Sequence, residues 1–143
     1  MNVLDVGTGS GIFAEAFSKR GMKVAGIDPN PEMLKAAKEF APIGIFLNGA
    51  IEEIPFKDKS FDLVFLGHIL HESDDLIKAL SESKRCAKLR VAILEWPYKQ
   101  EESGPPLEHR LKTEEILTAA KQVGFSQVET IQLQHMMLFR LSV

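Results

Sequence analysis

The chain has 143 residues, of which 45% are hydrophobic and 26% are charged, a length and composition typical of one globular domain and not of a disordered or fibrous chain. The 17 Lys and Arg residues against 20 Asp and Glu residues give a formal net charge of −3, so the basic surplus that phosphate-backbone binding usually requires is absent. We therefore expect a single domain over residues 1–143 and disfavour nucleic acid as a partner.

Short apolar runs alternate with stretches whose apolar residues recur at helical spacing, which predicts a parallel sheet with crossover helices. The first five predicted strands are Asn2–Val6, Lys23–Ile27, Gly44–Asn48, Asp62–Leu66 and Arg90–Glu95. The apolar faces expected of the first two helices consist of Ile12, Phe13, Ala16 and Phe17, and of Met33, Leu34, Ala37 and Phe40. Two further helices are predicted at Asp75–Cys86 and Thr113–Val123.

The last part of the chain has a different pattern. Two strand-like runs, Gln127–Leu133 and Met136–Ser142, are separated by only two residues. That connection is too short for a parallel crossover, so the two strands must pair antiparallel. Residues Tyr98–Arg110 contain Gly104, Pro105 and Pro106 and are predicted to form a surface loop. The expected fold class is a doubly wound α/β domain that ends in an antiparallel strand pair.

Three glycines, Gly7, Gly9 and Gly11, lie between the first strand and the first helix. Glycine lets the backbone turn sharply there and approach a ligand at the helix N-terminus. Ile12 takes the place of the third glycine in a dinucleotide fingerprint, which disfavours pyrophosphate binding. The alternative interpretation is a tight strand-to-helix turn without a ligand.

Asp28 ends the second strand, close to the offset of about 20 residues from the glycine loop at which an acid meets ribose hydroxyls. A carboxylate can accept a hydrogen bond from each of the two hydroxyls. The alternative is that Asp28 caps the helix that begins near Pro31.

Three blocks follow one another at a characteristic spacing: Leu4–Gly11, then Gly26–Pro29 with Met33 and Leu34, then Glu52–Phe56 with Ser60–Val64. With these blocks the chain resembles a class I S-adenosylmethionine-dependent methyltransferase, of the small-molecule branch that includes enzymes of ubiquinone and menaquinone biosynthesis. The resemblance implies a Rossmann-like, mostly parallel seven-stranded sheet, S-adenosylmethionine as the cofactor, and a small-molecule methyl acceptor.

The resemblance also implies which residues bind the cofactor. Asp5 and the three glycines would line its methionine part. Asp28 would hold the ribose, and Met33 would pack on the adenine. Ala50 and Ile51 would meet the adenine edge, while Gly67 and His68 would lie near the sulfonium. The complete expected set is Asp5, Gly7, Thr8, Gly9, Gly11, Asp28, Pro29, Met33, Ala50, Ile51, Gly67 and His68.

The chain departs from the family in two ways. Many relatives have an aspartate where Ala50 stands, so the hydrogen bond from the adenine amino group is absent unless Glu52 accepts it. The first predicted strand begins at residue 2, so we expect the N-terminal lid helices to be absent. Either a second copy of the chain or a partner subunit would then cover the pocket, or the chain is a fragment of a longer protein.

Methyl transfer is an in-line displacement, and it needs a base only when the acceptor is protonated. The candidate bases are His68, His71, Glu72 and Glu95, and we favour His71 because the pKa of imidazole is close to neutrality. The alternative is that His71 and Glu72 cap the next helix near Asp75. His68 and His71 have no evident third metal ligand, so we expect no metal site.

Side chains after the fifth strand are candidates for substrate contact. Trp96 and Tyr98 are placed to stack on a flat acceptor, and Arg110 is placed to bind an anionic one. The alternatives are packing for the aromatic rings and solvation for the arginine.

The sequence contains no apolar run of the about 18–20 residues that a membrane-spanning helix needs, and its start does not resemble a secretory signal. Cys86 is the single cysteine, so no disulfide framework is expected. These features predict a cytoplasmic location and no membrane partner.

Three other functions are retained as alternatives. They are a noncatalytic S-adenosylmethionine-binding or partner subunit, a nicotinamide-dependent oxidoreductase, and a methyltransferase that acts on protein or RNA. The missing third glycine and the Phe61–Val64 block count against the oxidoreductase.

Overall fold

The computed structural model describes residues 1–143, which form seven strands and four helices. The strands are β1 (Asn2–Val6), β2 (Lys23–Asp28), β3 (Ile45–Asn48), β4 (Phe61–Gly67), β5 (Ala87–Glu95), β6 (Gln127–Gln132) and β7 (Met137–Ser142). The helices are α1 (Ile12–Lys19), α2 (Pro31–Phe40), α3 (Leu76–Cys86) and α4 (Thr113–Val123). None of the helices has the length and apolar composition needed to cross a membrane.

All strands belong to one sheet with the order β3-β2-β1-β4-β5-β7-β6. The neighbours among β1 to β5 pair in parallel, whereas β7 is antiparallel to both β5 and β6. The expected doubly wound, mostly parallel sheet with a C-terminal antiparallel pair is therefore confirmed. Its strand order reverses between β1 and β4, and such a switch point opens a crevice at the carboxyl ends of the strands.

The core lies where the central strands meet α3 and α4. Val3, Leu4 and Val64 are fully buried in β1 and β4, as expected for strands that are covered on both faces. Cys86 is also fully buried. Its burial raises the pKa of the thiol to about 11, which agrees with a small apolar packing role.

Three details differ from the sequence-based expectation. Strand β5 begins at Ala87 and not at Arg90, directly after α3 and beside a register shift between Phe61 and Leu63. A 3-10 turn, Leu107–His109, lies within the segment that was expected to be irregular. Ile12 and Phe40 were expected on buried helix faces but are 72% and 54% exposed. Helical spacing identifies a face, but it does not show where along the helix the neighbouring sheet ends.

Arg85 in α3 fixes the long connection between β3 and β4. Its guanidinium donates hydrogen bonds to the carbonyl oxygens of Ile54 and Phe56 at 3.0 and 2.8 Å. It also pairs with Glu82 on its own helix and with Asp58 in the connection. One side chain thus holds the connection that carries Ala50 and Ile51 against α3.

We expect Arg85→Met to lower the free energy of unfolding by about 1–3 kcal/mol, because backbone carbonyls lose their donors while a partly exposed ion pair contributes little. Urea denaturation measures the change. Lys88→Met, at an exposed position of the adjacent strand, removes the same charge and should be nearly neutral. Equal stability of the two variants would contradict the role assigned to Arg85.

Candidate functional site

The candidate site lies at the carboxyl ends of β2, β1, β4 and β5. The last residues of these strands are in register across the sheet, since Val6 pairs with both Ile27 and Leu66, and Gly67 pairs with Leu94. The residues that end or follow the four strands therefore share one edge. They include the glycine loop, Asp28, His68 and Glu95.

The glycine loop has backbone conformations, and close contacts with neighbouring residues, that a side chain would prevent. Gly7 and Gly11 have φ values of 68° and 90°, in the left-handed region that glycine enters at low cost. A Cβ atom on Gly7 would lie 2.6 Å from Cγ1 of Ile69, and one on Gly11 would lie 2.8 Å from Cα of Ala37. The N-cap of α1 is Gly11, which has no side chain to cap the helix, so the positive end of the helix dipole faces this edge.

Asp5 and Thr8 support the loop from inside. The Thr8 hydroxyl donates to Oδ2 of Asp5 at 2.8 Å, and the Thr8 N–H donates to the carbonyl oxygen of Ile27 at 2.9 Å. Both side chains are buried, and burial raises the pKa of Asp5 to about 7. Two of the expected cofactor residues are therefore engaged with the protein itself.

Asp28 joins the glycine loop to the start of α2. Its Oδ2 accepts the Gly9 N–H at 3.0 Å and its Oδ1 accepts the Asn30 N–H at 2.9 Å. The N-cap of α2 is Asn30, whose side chain accepts the Glu32 N–H at 2.9 Å. The alternative in which Asp28 caps this helix is therefore wrong. Asp28 is 9% exposed, and each of its oxygens retains a second lone pair for a ligand.

A cavity of about 220 Å³ opens beside the glycine loop. Four of the expected cofactor residues line it: Gly7, Pro29, Ala50 and Ile51. The other eight expected residues do not line it: Asp5, Thr8, Gly9, Gly11, Asp28, Met33, Gly67 and His68. Four lining residues were not expected at the site from the sequence: Val6, Gly49, Ile69 and Asp74. Glu72, a candidate base, also lines the cavity.

Ile69, Glu72 and Asp74 belong to the segment after β4, which the tertiary structure folds over Gly7. Only the proximity of this segment to His68 could have signalled it. Glu52, the proposed substitute for an acid at position 50, lines the cavity as well. Its Oε2 accepts the Asp74 N–H at 2.9 Å, so it also joins the two loops.

His68 follows β4 in a strained position. Its φ is 58°, which is uncommon for a residue other than glycine and is typical of functional sites. Its ring centroid lies 6.2 Å from that of Phe13 and 5.2 Å from that of Trp96. Nδ1 is buried without a hydrogen-bond partner, and burial lowers the pKa of the imidazole, so His68 is neutral near pH 7.

Gly67, just before it, is explained by packing. A Cβ atom there would lie 2.7 Å from the Phe65 ring and 2.8 Å from the Phe13 ring. The glycine thus lets the two rings meet edge to face, with centroids 4.9 Å apart, beneath the end of β4.

His71 and Glu95 form a buried pair. His71 lies in the 3-10 turn Leu70–Glu72, and its Nδ1 is 2.8 Å and 3.0 Å from the two carboxylate oxygens of Glu95. The hydrogen bond to Glu95 raises the pKa of His71. The alternative in which His71 and Glu72 cap the next helix is wrong, because Asp75 caps α3 by accepting the Lys78 N–H.

Both interpretations of Arg110, contact with an anionic acceptor and solvation, are wrong. Its side chain is 1% exposed and pairs with Glu101. It donates to the carbonyl oxygens of Pro97, Ser103 and Pro105. Its guanidinium also lies 5.3 Å from the centroid of the Trp96 ring. Arg110 therefore holds the loop after β5 closed, and the packing alternative applies to Trp96.

The fold and the glycine loop with its acidic partner define a class I S-adenosylmethionine-dependent methyltransferase architecture. A family model described as "Methyltransferase domain" matches residues 4–93, which is more than half of the chain. The chain belongs to this methyltransferase domain family.

Curated relatives match over part of their length. A demethylmenaquinone methyltransferase of Chlorobaculum tepidum is 40% identical over 87 residues, covering 60% of this chain and 36% of the relative. A malonyl-[acyl-carrier protein] O-methyltransferase of Hamiltonella defensa is 35% identical over 92 residues, covering 64% of this chain and 36% of the relative. The chain thus spans about a third of the length of these relatives.

Solved structures match over nearly the whole chain. A SAM-dependent methyltransferase from Aquifex aeolicus has a TM-score of 0.90 and 28% identity, covering 100% of this chain and 82% of that one. A structure described as a complex of the Haloferax volcanii Trm112 methyltransferase activator with a methyltransferase has a TM-score of 0.80. Its identity of 21% over 99% of this chain and 81% of that one shows the shared fold alone.

The raised pKa of Asp5 should make the free energy of unfolding depend on pH. A carboxyl whose pKa is about 7 in the folded chain and 3.8 when fully solvated stabilises the fold fully below about pH 4, and this contribution is lost as the pH rises through about 7. Asp5→Asn removes the titration, so its stability relative to the wild type should rise between about pH 4 and about pH 7, by up to about 1.4 kcal/mol per pH unit.

Urea denaturation of both proteins at each pH measures this difference. Glu114→Gln, at an exposed carboxyl of α4, should give a curve parallel to that of the wild type. If the Asp5→Asn curve is parallel as well, Asp5 does not titrate in this range.

Proposed function

We propose that this chain binds S-adenosylmethionine at the edge formed by Gly7, Asp28 and Ala50 and transfers its methyl group to a small-molecule acceptor. When bound, the cofactor supplies a methyl group on a sulfonium, which is already activated for displacement. The observation that carries the proposal is the carboxylate of Asp28, held against the Gly9 N–H at the strand-order switch of a chain in the methyltransferase family.

The residues present fit such a cofactor. Asp28 has lone pairs left to accept from two ribose hydroxyls, and the cavity lined by Pro29, Ala50 and Ile51 offers apolar surface to the adenine. The N-terminus of α1, next to Gly9 and Gly11, suits the carboxylate of the methionine part. Met33, in the first turn of α2 and half-buried, is proposed as a further adenine contact.

Asp5 and Thr8 are proposed to act on the cofactor through the shape of the loop, since their side chains bond to each other. Gly67 and His68 are proposed to lie near the sulfonium. The unpartnered Nδ1 of His68 is a buried polar atom that a ligand or an ordered water can satisfy.

A small-molecule acceptor is supported by the names of the matched relatives, which act on demethylmenaquinone and on malonyl groups carried by a protein. A partner subunit or a second copy of the chain is proposed to complete the cover of the site. The structure matched from a complex with a methyltransferase activator gives this proposal a precedent at the level of the fold.

Calorimetric titration with S-adenosylmethionine, S-adenosylhomocysteine and NAD tests the cofactor class. We expect micromolar binding of the first two ligands and none of the third. Binding of NAD alone would support the oxidoreductase alternative and overturn the proposal.

Asp28→Ala should weaken the binding of S-adenosylhomocysteine by about tenfold or more, because a charged acceptor of hydrogen bonds is lost. The same change removes the acceptor of the Gly9 and Asn30 N–H groups, so the thermal unfolding midpoint is measured alongside the affinity. Asp28→Asn keeps one acceptor oxygen, so its affinity for S-adenosylhomocysteine should lie between that of the wild type and that of Asp28→Ala. Unchanged affinity in a folded Asp28→Ala variant would contradict the ribose assignment.

A further inference from the structure

A second cavity, of about 350 Å³, lies next to the proposed cofactor site. Tyr98, Leu107 and Leu111 give its wall an apolar part. The rest of the wall is polar or charged and consists of His71, Glu108, His109, Arg110, Lys112 and Glu115.

One short turn separates the two cavities. Ile69 and Glu72 line the cavity beside the glycine loop, whereas His71, between them in sequence, lines the second one. Ile69 also packs over Gly7. A molecule in the second cavity would therefore be adjacent to a cofactor held by the glycine loop, with the imidazole of His71 at the boundary.

The pairing of His71 with Glu95 determines which ring nitrogen is free. An ionised carboxylate only accepts hydrogen bonds, so the Nδ1 that touches both oxygens of Glu95 carries the proton. In the neutral ring, Nε2 is then the basic nitrogen. The nearest carboxylate oxygen to Nε2, Oε1 of Glu72, is 3.9 Å away, beyond hydrogen-bond distance.

We propose that the second cavity receives the methyl acceptor, that the acceptor presents a phenolic hydroxyl, and that Nε2 of His71 takes the hydroxyl proton while Glu95 acts as a positioning residue. This inference rests on the proposed function. The acceptor oxygen bonds to the methyl carbon as its proton passes to Nε2. The carbon–sulfur bond breaks, its electron pair stays on sulfur, and Nε2 later releases the proton to water.

The chemistry of the base and the wall of the cavity together favour this class of acceptor. A carboxylic acid is already ionised near pH 7 and needs no base, whereas an aliphatic alcohol is too weak an acid for imidazole to deprotonate efficiently. A phenol, with a pKa near 10, lies between these limits, as do an alkylammonium group and a thiol. The phenol differs from these two in its ring, which fits the apolar surface of Tyr98, Leu107 and Leu111.

The charges around His71 determine its pH dependence. Glu95 on β5 and Glu72 on the same turn raise its pKa, while Arg110 in the loop after β5 and burial lower it. His68, just after β4, is neutral near pH 7. Glu108, His109, Lys112 and Glu115 are the other titratable groups around the cavity that His71 lines. Because the overall shift is upward, His71 becomes a base only above its raised pKa, so methyl transfer should increase as the pH rises through that value. Replacing Glu95 with glutamine should move this rise to lower pH.

NMR of the histidine ring nitrogens tests the pairing without an acceptor. In the wild type we expect the Nδ1–H tautomer at high pH and a titration midpoint above the ordinary value of about 6.5. Glu95→Gln should lower the midpoint, whereas Glu102→Gln, at an exposed carboxyl, should not. An Nε2–H tautomer, or a midpoint that Glu95→Gln does not change, would overturn the inference.

Transfer of labelled methyl from S-adenosylmethionine to simple phenols, benzoic acids and primary amines tests the acceptor class. We expect labelled phenols only, an about 100-fold or larger loss in His71→Gln, and unchanged affinity of this variant for S-adenosylhomocysteine. Labelling only of acids or amines, no labelled phenol, or full activity of His71→Gln would overturn the inference and leave the cofactor proposal standing. Failure of the wild type to bind S-adenosylhomocysteine would overturn the proposed function itself.

Discussion

The contact between Gly7 and Ile69 links the parts of the site. Gly7 turns the chain after β1 with a φ of 68°, and Ile69 occupies the space where a side chain at position 7 would lie. Ile69 immediately precedes the 3-10 turn that carries His71 and Glu72. A larger residue at position 7 would therefore disturb both cavities at once, since the interior is close-packed and has little room to relax.

Buried carboxylates give the edge of the sheet its chemical character, and each is satisfied by a different partner. Asp5 accepts from the Thr8 hydroxyl, Asp28 from two backbone N–H groups, and Glu95 from the imidazole of His71. Burial of a charge is costly unless it is hydrogen-bonded or neutralised. Asp5 responds by a raised pKa, whereas Glu95 raises the pKa of its partner.

Strand positions follow from the sequence more closely than side-chain partners do. Strands β1 and β4 were predicted almost to the residue because apolar runs in parallel sheets are bounded by glycine or polar residues. The start of β5 was misplaced because no such residue separates it from α3. Arg110 was misjudged, since the carbonyl groups that it binds come from backbone that composition does not reveal.

The sequence by itself determined the order of elements, the glycine loop and the position of Asp28, because these depend on local backbone conformation and on the period of apolar residues. Only the tertiary structure decided that Ile69 and Glu72 line one cavity while His71 lines the next. It also decided that Glu95, on a different strand, holds His71. Hydrogen bonds between distant residues depend on strand register and side-chain burial, which arise only when the whole sheet has formed.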